Sequence, residues 1–403
     1  VFYTSISIRK VKMPAAKGES WNESEIYKDA WTLRECRRVT LQGQINQTPN
    51  YHTNIGFTAD SEFLVFWTLR EGYGAVCKVH VPSGDITQLT EPVLDYGFEP
   101  HIQGGPYPRM CLAPHSRWLV YTQARALKAV HLDTLDERTL IADVGGEWEV
   151  GYPSISADEQ QVILPLSPLH PEVAAGRRVS RSYFEHYASG AGMQLRLVQV
   201  PLAGGAAFDV YREAGCRSFH SPHSPVDPDW VLLDRDFPPR YWGGSDGRTT
   251  RIWALQLSTG ALTELRSQDP NTFQVHAVWT FDGEQVLYHG SSASGGYFIG
   301  VCDRHGQTVR EWDFSGAQHY GHVAAMAGRP AIILDGNVSS HLLTWLYYDQ
   351  AQPRLEVIAA HNTEWGTILG QAPHPHPLCS PDGRWISFNT ARRGRTEVVL
   401  VRV

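Results

Sequence analysis

A short, proline-stiffened segment near the C-terminus, Gln371-Ala-Pro-His374-Pro-His376-Pro, offers two imidazoles and a side-chain amide just before a predicted β-strand. In extended backbone, residues i and i+2 project to one face, so His374 and His376 converge. The flanking prolines hold φ near its β or polyproline value and limit the freedom these side chains would lose on binding a cation. Imidazole nitrogens and an amide oxygen suit Mn, Fe, Co, Ni or Zn. An H-x-H pair by itself is a common outcome of core packing. The neighbouring Gln371, and the place of the segment at the start of one unit of a repeat, give it more weight.

That repeat must position the segment. Short apolar runs alternate with turn residues and few helical stripes appear, which predicts an all-β chain. One unit recurs: small or apolar residues, an Asp-Gly-like turn, then an apolar strand. It appears at Gly56–Asp60 with Phe63–Trp67, at Met110–His115 with Trp118–Tyr121, and at Pro153–Asp158 with Gln161–Leu164. It recurs at Ser224–Asp227, Val278–Gly283, Val323–Gly328 and Leu378–Gly383, each followed by its own strand. Seven units of roughly 40 to 70 residues predict a seven-bladed β-propeller. The last unit lacks a strand, and a segment near Arg38-Val-Thr-Leu-Gln is expected to complete it and close the ring, leaving no open edge. The expected organisation is an N-terminal extension over residues 1–30 and one propeller domain over residues 31–403.

Composition narrows the function classes. At 403 residues, 42% hydrophobic and 19% charged, the chain has the profile of a globular protein. A net charge of −7, without any Lys/Arg run, argues against a nucleic-acid or anionic-membrane partner. No apolar run is long enough to span a bilayer. Six scattered cysteines without a C-x-x-C pair read as small core residues of a reduced protein. The N-terminal residues show no charged-then-apolar leader pattern, and Met13-Pro-Ala-Ala-Lys has the look of a start site, so a cytoplasmic location is the expectation.

In a propeller the start of each blade's first strand faces the central channel. Counting back from the turns places His276, His322 and His376 at comparable positions of the last three blades, with His374 and Gln371 beside the last. Histidines in phase on consecutive blades predict a metal-ligand cluster. These segments, with Gly146-Glu-Trp-Glu-Val-Gly-Tyr152, Phe184-Glu-His-Tyr, Arg251-Ile-Trp, His276-Ala-Val-Trp-x-x-Asp-Gly and His361-Asn-Thr-Glu-Trp365 in order, resemble the oligogalacturonate lyases. These are seven-bladed propeller enzymes of pectin breakdown.

The resemblance implies that His322, Gln371, His374 and His376 bind a divalent cation, usually manganese (Mn2+). It further implies that His276 is the proton-abstracting base, Arg251 a partner of the substrate carboxylate, and the substrate an acidic oligosaccharide. The chemistry is coherent. Eliminating a 4-linked uronate removes the C5 proton beside the carboxylate, which requires charge on that group to be neutralised. A neutral imidazole is a suitable base. His276 could instead be a fifth ligand, and His319 or His361 could take either role. The leaving oxygen could be protonated by water or by the same histidine.

One stretch departs from the family. Where it carries a Cys-His-Glu-Gly-Pro-like segment, this chain has Asp234-Arg235-Asp-Phe-Pro-Pro-Arg240-Tyr241-Trp242. Arg235 or Arg240 is a candidate grip for a second carboxylate, Tyr241 or Trp242 a candidate sugar platform, and His220 a substrate contact. The departure admits a different uronate. Two further readings are a non-catalytic ligand-binding propeller, which needs no channel histidines, and the propeller half of a serine peptidase. The latter lacks both room for a hydrolase domain and a G-x-S-x-G elbow.

Overall fold

The computed structural model describes residues 15–49, 55–94, 108–169, 193–235, 251–267, 272–292, 294–307, 309–313, 321–336, 340–349, 352–365 and 372–403. They form seven antiparallel sheets arranged as the blades of a β-propeller. Local turn chemistry explains why the repeat folds as it does. In the first, third, fifth and seventh blades a hydroxyl (Thr58, Ser156, Thr280, Ser380) donates to the Asp two residues on. The same hydroxyl accepts the backbone N–H five residues on, at 3.0 Å each time. The Ser/Thr-x-Asp turn thus caps one strand and launches the next.

Strands such as Phe63–Arg70 and Arg395–Arg402 are buried along nearly their whole length. Their central positions carry apolar residues on both faces because each blade is covered on both sides. Seven hydrophobic clusters each straddle two neighbouring blades. One joins Trp67 and Val76 of the first blade to Leu112 and Leu119 of the second, and others join the second to the third, the third to the fourth, and so on round. The cluster of Phe57, Leu64 and Phe66 with Leu378, Val398 and Leu400 joins the seventh blade to the first and completes the ring. Each fully buried aliphatic or aromatic side chain contributes about 1.5–3 kcal/mol.

Ring closure follows the sequence expectation. Glu35–Arg38 pairs with the last strand, Cys36 opposite Val401, inside the seventh sheet. Two short strands lie within the expected extension over residues 1–30. Ser20–Asn22 adds to the outer edge of the first blade through Trp21 opposite Ile86, and Glu25–Lys28 adds to the outer edge of the seventh. Both strands cover backbone that would otherwise be an open edge. All six cysteines are buried, and burial pushes thiols such as Cys77 and Cys111 up to about 12.

Candidate metal centre and active site

Each blade's first strand opens at the channel, and pairing register shows which residues stand in phase there. Arg109 exchanges backbone hydrogen bonds with the fifth residue of the next strand: its carbonyl accepts from Thr122 N–H, and its N–H donates to the Thr122 hydroxyl, both at 3.0 Å. His220 pairs with Asp234 and His322 with Asp335. Extending the register Leu378↔Ser387 by two residues sets His376 opposite Asn389. In the third blade Tyr152 follows Gly151, whose N–H donates to Pro165. Neighbours in this row touch. The Arg109 guanidinium lies 4.3 Å from the Tyr152 ring centre, and Tyr152 stacks on His220 at 5.3 Å. His276 stacks on His322 at 4.5 Å, and His322 meets His376 at 4.2 Å.

Two histidines of this row have left-handed backbone, His276 at φ 58° and His376 at φ 42°. For a residue with a Cβ this conformation is uncommon and is held by its surroundings. At His276 the cause is a bulge, since register slips between Val275 and Val278 against the next strand. A bulge re-aims the side chain it carries. At His376 the preceding residue is pinned, Asn389 N–H donating to the Pro375 carbonyl at 2.8 Å.

His322, His374 and His376 bring one ring nitrogen each to within 4.8 Å of one another. His322 Nε2 and His376 Nε2 are 3.2 Å apart, close to the spacing of two nitrogens sharing one cation through bonds of about 2.0–2.1 Å. The donor state is settled by a second residue. Asp335, 1% exposed, accepts the His322 backbone N–H at 2.8 Å and lies 2.7 Å from His322 Nδ1. Burial raises the Asp335 carboxyl to about 6, so it is mostly ionised at neutral pH. Burial also drives the His322 imidazole well below its ordinary value. The pair is therefore carboxylate and neutral imidazole. Nδ1–H donates to Asp335, and the Nε2 lone pair faces the cluster, an arrangement found beneath many histidine–metal bonds. His374, also held neutral by burial, packs edge-on to Trp365 at 4.8 Å. Neutral, preset donors are the form that binds a cation. The residues present fit a divalent metal.

His276 lies beside this set and outside it. Its Nδ1 is 2.7 Å from His289 Nε2. His289 donates to the Gly321 backbone, and burial lowers its imidazole to about 4, so it is neutral. With its proton on the nitrogen turned to Gly321, His289 offers Nε2 as an acceptor. His276 then carries its proton on Nδ1, and its basic nitrogen is Nε2. Asp234 holds two further groups: Oδ2 accepts the His276 backbone N–H at 3.0 Å, and Oδ1 accepts Nε–H of Arg251. One buried carboxylate thus couples the candidate base to the candidate arginine.

Other expectations fare differently. Arg235 is fully buried, paired with Glu213 at 2.8 Å and set over Trp253 at 4.6 Å. Gripping a sugar carboxylate would compete with that ion pair. Both ring nitrogens of His361 are engaged: Nε2 lies 3.1 Å from the Ser340 carbonyl and Nδ1 accepts Thr363 N–H at 3.1 Å. His220 is buried, and burial lowers its imidazole to about 3, leaving it neutral. Gln371, Arg240, Tyr241, Trp242, His319 and the Phe184 segment lie outside the described residues. The sequence assigned no role to Asp234, His289 or Asp335. All three are the polar fifth residue of a second strand after a run of three apolar or aromatic residues (Trp230-Val-Leu-Leu-Asp, Gln285-Val-Leu-Tyr-His, Ala331-Ile-Ile-Leu-Asp), a pattern that could have marked them.

No protein-family model matches the chain. It is similar to the oligogalacturonate lyase of Dickeya dadantii, 23% identical over 405 residues, covering 96% of this chain and 98% of the relative. It is also similar to the oligogalacturonide lyase of Pectobacterium atrosepticum, 24% identical over 391 residues, with 94% and 95% covered. A solved oligogalacturonate lyase in complex with manganese superposes with a TM-score of 0.78 at 21% identity, covering 96% of this chain and 98% of that one. At that identity the superposition speaks for the propeller fold. The resemblance carried by the motifs thus holds from end to end: this chain aligns over nearly its whole length with the oligogalacturonate lyase family.

Proposed function

We propose that the protein is a metal-dependent lyase that cleaves short 4-linked uronate oligosaccharides, of the oligogalacturonide class, by β-elimination. The observation that carries this reading is the convergence of His322, His374 and His376, with the His322 tautomer set by Asp335, directly against His276. The relatives' names point the same way. His322, His374 and His376, joined by Gln371, would hold the cation, and the manganese of the solved neighbour makes Mn2+ the first candidate. When bound, it supplies positive charge that offsets the uronate carboxylate as charge builds up beside C5.

The chain's own groups do the rest. Asp234 holds the Arg251 guanidinium by its Nε beside the candidate base, where its charge would meet the substrate carboxylate. His276, its Nδ1–H engaged by His289, takes the C5 proton at Nε2. The C4–O bond breaks, a C4=C5 double bond forms, and the leaving oxygen is protonated by water or by the imidazolium just formed. A lyase for a different uronate would use the same groups; the choice between them falls to the substrate assay.

The test is metal analysis of purified protein, followed by incubation with unsaturated digalacturonate with and without a chelator. We expect near-stoichiometric divalent metal and cleavage that the chelator abolishes. Neither metal nor cleavage would sink the lyase reading and favour a non-catalytic propeller. Metal without cleavage would keep the centre and send the search to other uronates.

A further inference from the structure

The row of channel residues that carries the histidines begins with an arginine that has no assigned role. Arg109 precedes the strand Met110–Ala113 by one residue, as His322 precedes Val323–Ala325. Its backbone bonds with Thr122 mirror those of His322 with Asp335. It therefore points into the site by the same geometry that aims the proposed ligand.

Its chemistry is unusual for its burial. Arg109 is 5% exposed. Nε donates to the Val150 carbonyl at 2.9 Å, and the guanidinium lies over Tyr152 at 4.3 Å and near Phe219 at 5.9 Å. Nη1 is buried and meets no acceptor among the described residues. Its buried neighbours are different: Arg217 holds Glu149, Arg235 holds Glu213 and Arg251 holds Asp234. Among the described residues no carboxylate pairs with Arg109. A guanidinium stripped of water and left without a counter-ion is costly, and stacking on an aromatic ring offsets only part of that cost. A binding site can bear such a cost when its ligand brings the missing anion.

Arg109 is also close enough to the centre to serve it. Tyr152 links it to His220 by stacking, and His220 is bridged to Asp234, which holds Arg251 and His276. The charges of Arg109 and Arg251 both act on His220. Two arginines thus flank one channel wall, one oriented by Asp234 and one awaiting an acid.

We propose that Arg109 recognises the carboxylate of a second uronate in the bound chain, the ring that keeps its C5 proton. This rests on the lyase reading above, and it makes the enzyme selective for substrates with acidic groups on adjacent sugars.

The test uses the Mn2+-loaded enzyme with digalacturonate and with the same disaccharide methyl-esterified on the ring that keeps its C5 proton. For Arg109→Gln we expect KM for the diacid to rise about 10- to 100-fold, the value of a charge-assisted pair. We expect kcat within about threefold of wild type and unchanged metal content. The monoester should already bind wild type poorly and be nearly indifferent to the substitution. The metal-free variant should melt at or above the wild-type temperature, because an unpaired buried charge is gone; a purely structural arginine would give the opposite. An unchanged KM, an equal KM rise for diacid and monoester, or kcat and metal falling together would each overturn the proposal. If Arg109→Gln does not fold, Arg109→Lys, which keeps the charge and loses the fork, carries the same comparison. If wild type cleaves neither compound, the lyase reading fails. Calorimetric binding of the two disaccharides then decides: weaker diacid binding by the variant upholds the carboxylate site, and equal binding overturns it.

Discussion

Replacing Asp335 with Asn tests whether the centre depends on a single proton position. In the native arrangement Oδ1 accepts the His322 backbone N–H at 2.8 Å and Oδ2 accepts Nδ1–H at 2.7 Å. Asn in the same pose must keep its oxygen toward the backbone N–H and so present its NH2 to Nδ1. Nδ1 then has to accept, the ring proton moves to Nε2, and that nitrogen, 3.2 Å from His376 Nε2, can no longer donate to a cation. Turning the amide over instead faces two donors toward each other. Binding a cation at Nε2 therefore forces the proton back to Nδ1, where one buried donor faces another, at about 1–3 kcal/mol, or roughly 10- to 100-fold in metal affinity. The assay is calorimetric titration of metal-stripped protein with Mn2+ near pH 8, where Asp335, at about 6, is ionised. Melting curves would check that the variant folds. Asp335→Ala, whose His322 can choose its tautomer, should retain more affinity than Asp335→Asn. Wild-type affinity in the Asn variant would refute the tautomer argument; equal losses in both variants would show that charge alone matters.

Three further outcomes are expected. His276→Ala should keep its metal, since His276 lies outside the converging set, while losing turnover by at least about 100-fold; metal loss on analysis would make it a ligand. His289→Leu should lower kcat about tenfold with little change in KM, because only the acceptor that sets the His276 proton is removed. His289→Gln, with an amide oxygen in reach, should recover part of the loss, and equal defects in both would count against that role. The third concerns acid stability. Burial lowers His220 to about 3, and His223 and His361 to about 4. The unfolded chain binds more protons at these sites, so their contribution is full above about pH 6.5 and is lost as pH falls from there toward 4. Each is worth at most a few kcal/mol; Asp335, raised by burial, acts in the opposite sense. Thermal melts of metal-free protein between pH 8 and 4 should fall steeply below about 6.5, and a flat profile would contradict the buried, neutral state of these rings.

Much of this protein was legible in its residues, because a repeat writes local physics many times over. The Ser/Thr-x-Asp turns, each closing on its own hydroxyl within five residues, fixed the phase of the blades. Phase alone then aligned His276, His322 and His376, which stand against one another in the ring. The N-terminal closing strand was also visible, as a missing partner for the last unit. What the residues could not reveal was pairing across distance. Arg235 and Arg109 look alike in sequence, yet Glu213 neutralises the first and no described carboxylate reaches the second. Asp234 begins the stretch that departs from the family in sequence, and in the structure it is the strand-end carboxylate that holds Arg251 and His276 together. The bulge that turns His276 and the contacts of Asp335 and His289 likewise depend on which strand lies opposite. By itself the sequence determined the period, the turns and the in-phase imidazoles, because those follow from local backbone preference and repetition. Tertiary structure alone decided which buried charges are paired and where each imidazole carries its proton, because both depend on groups far away in the chain.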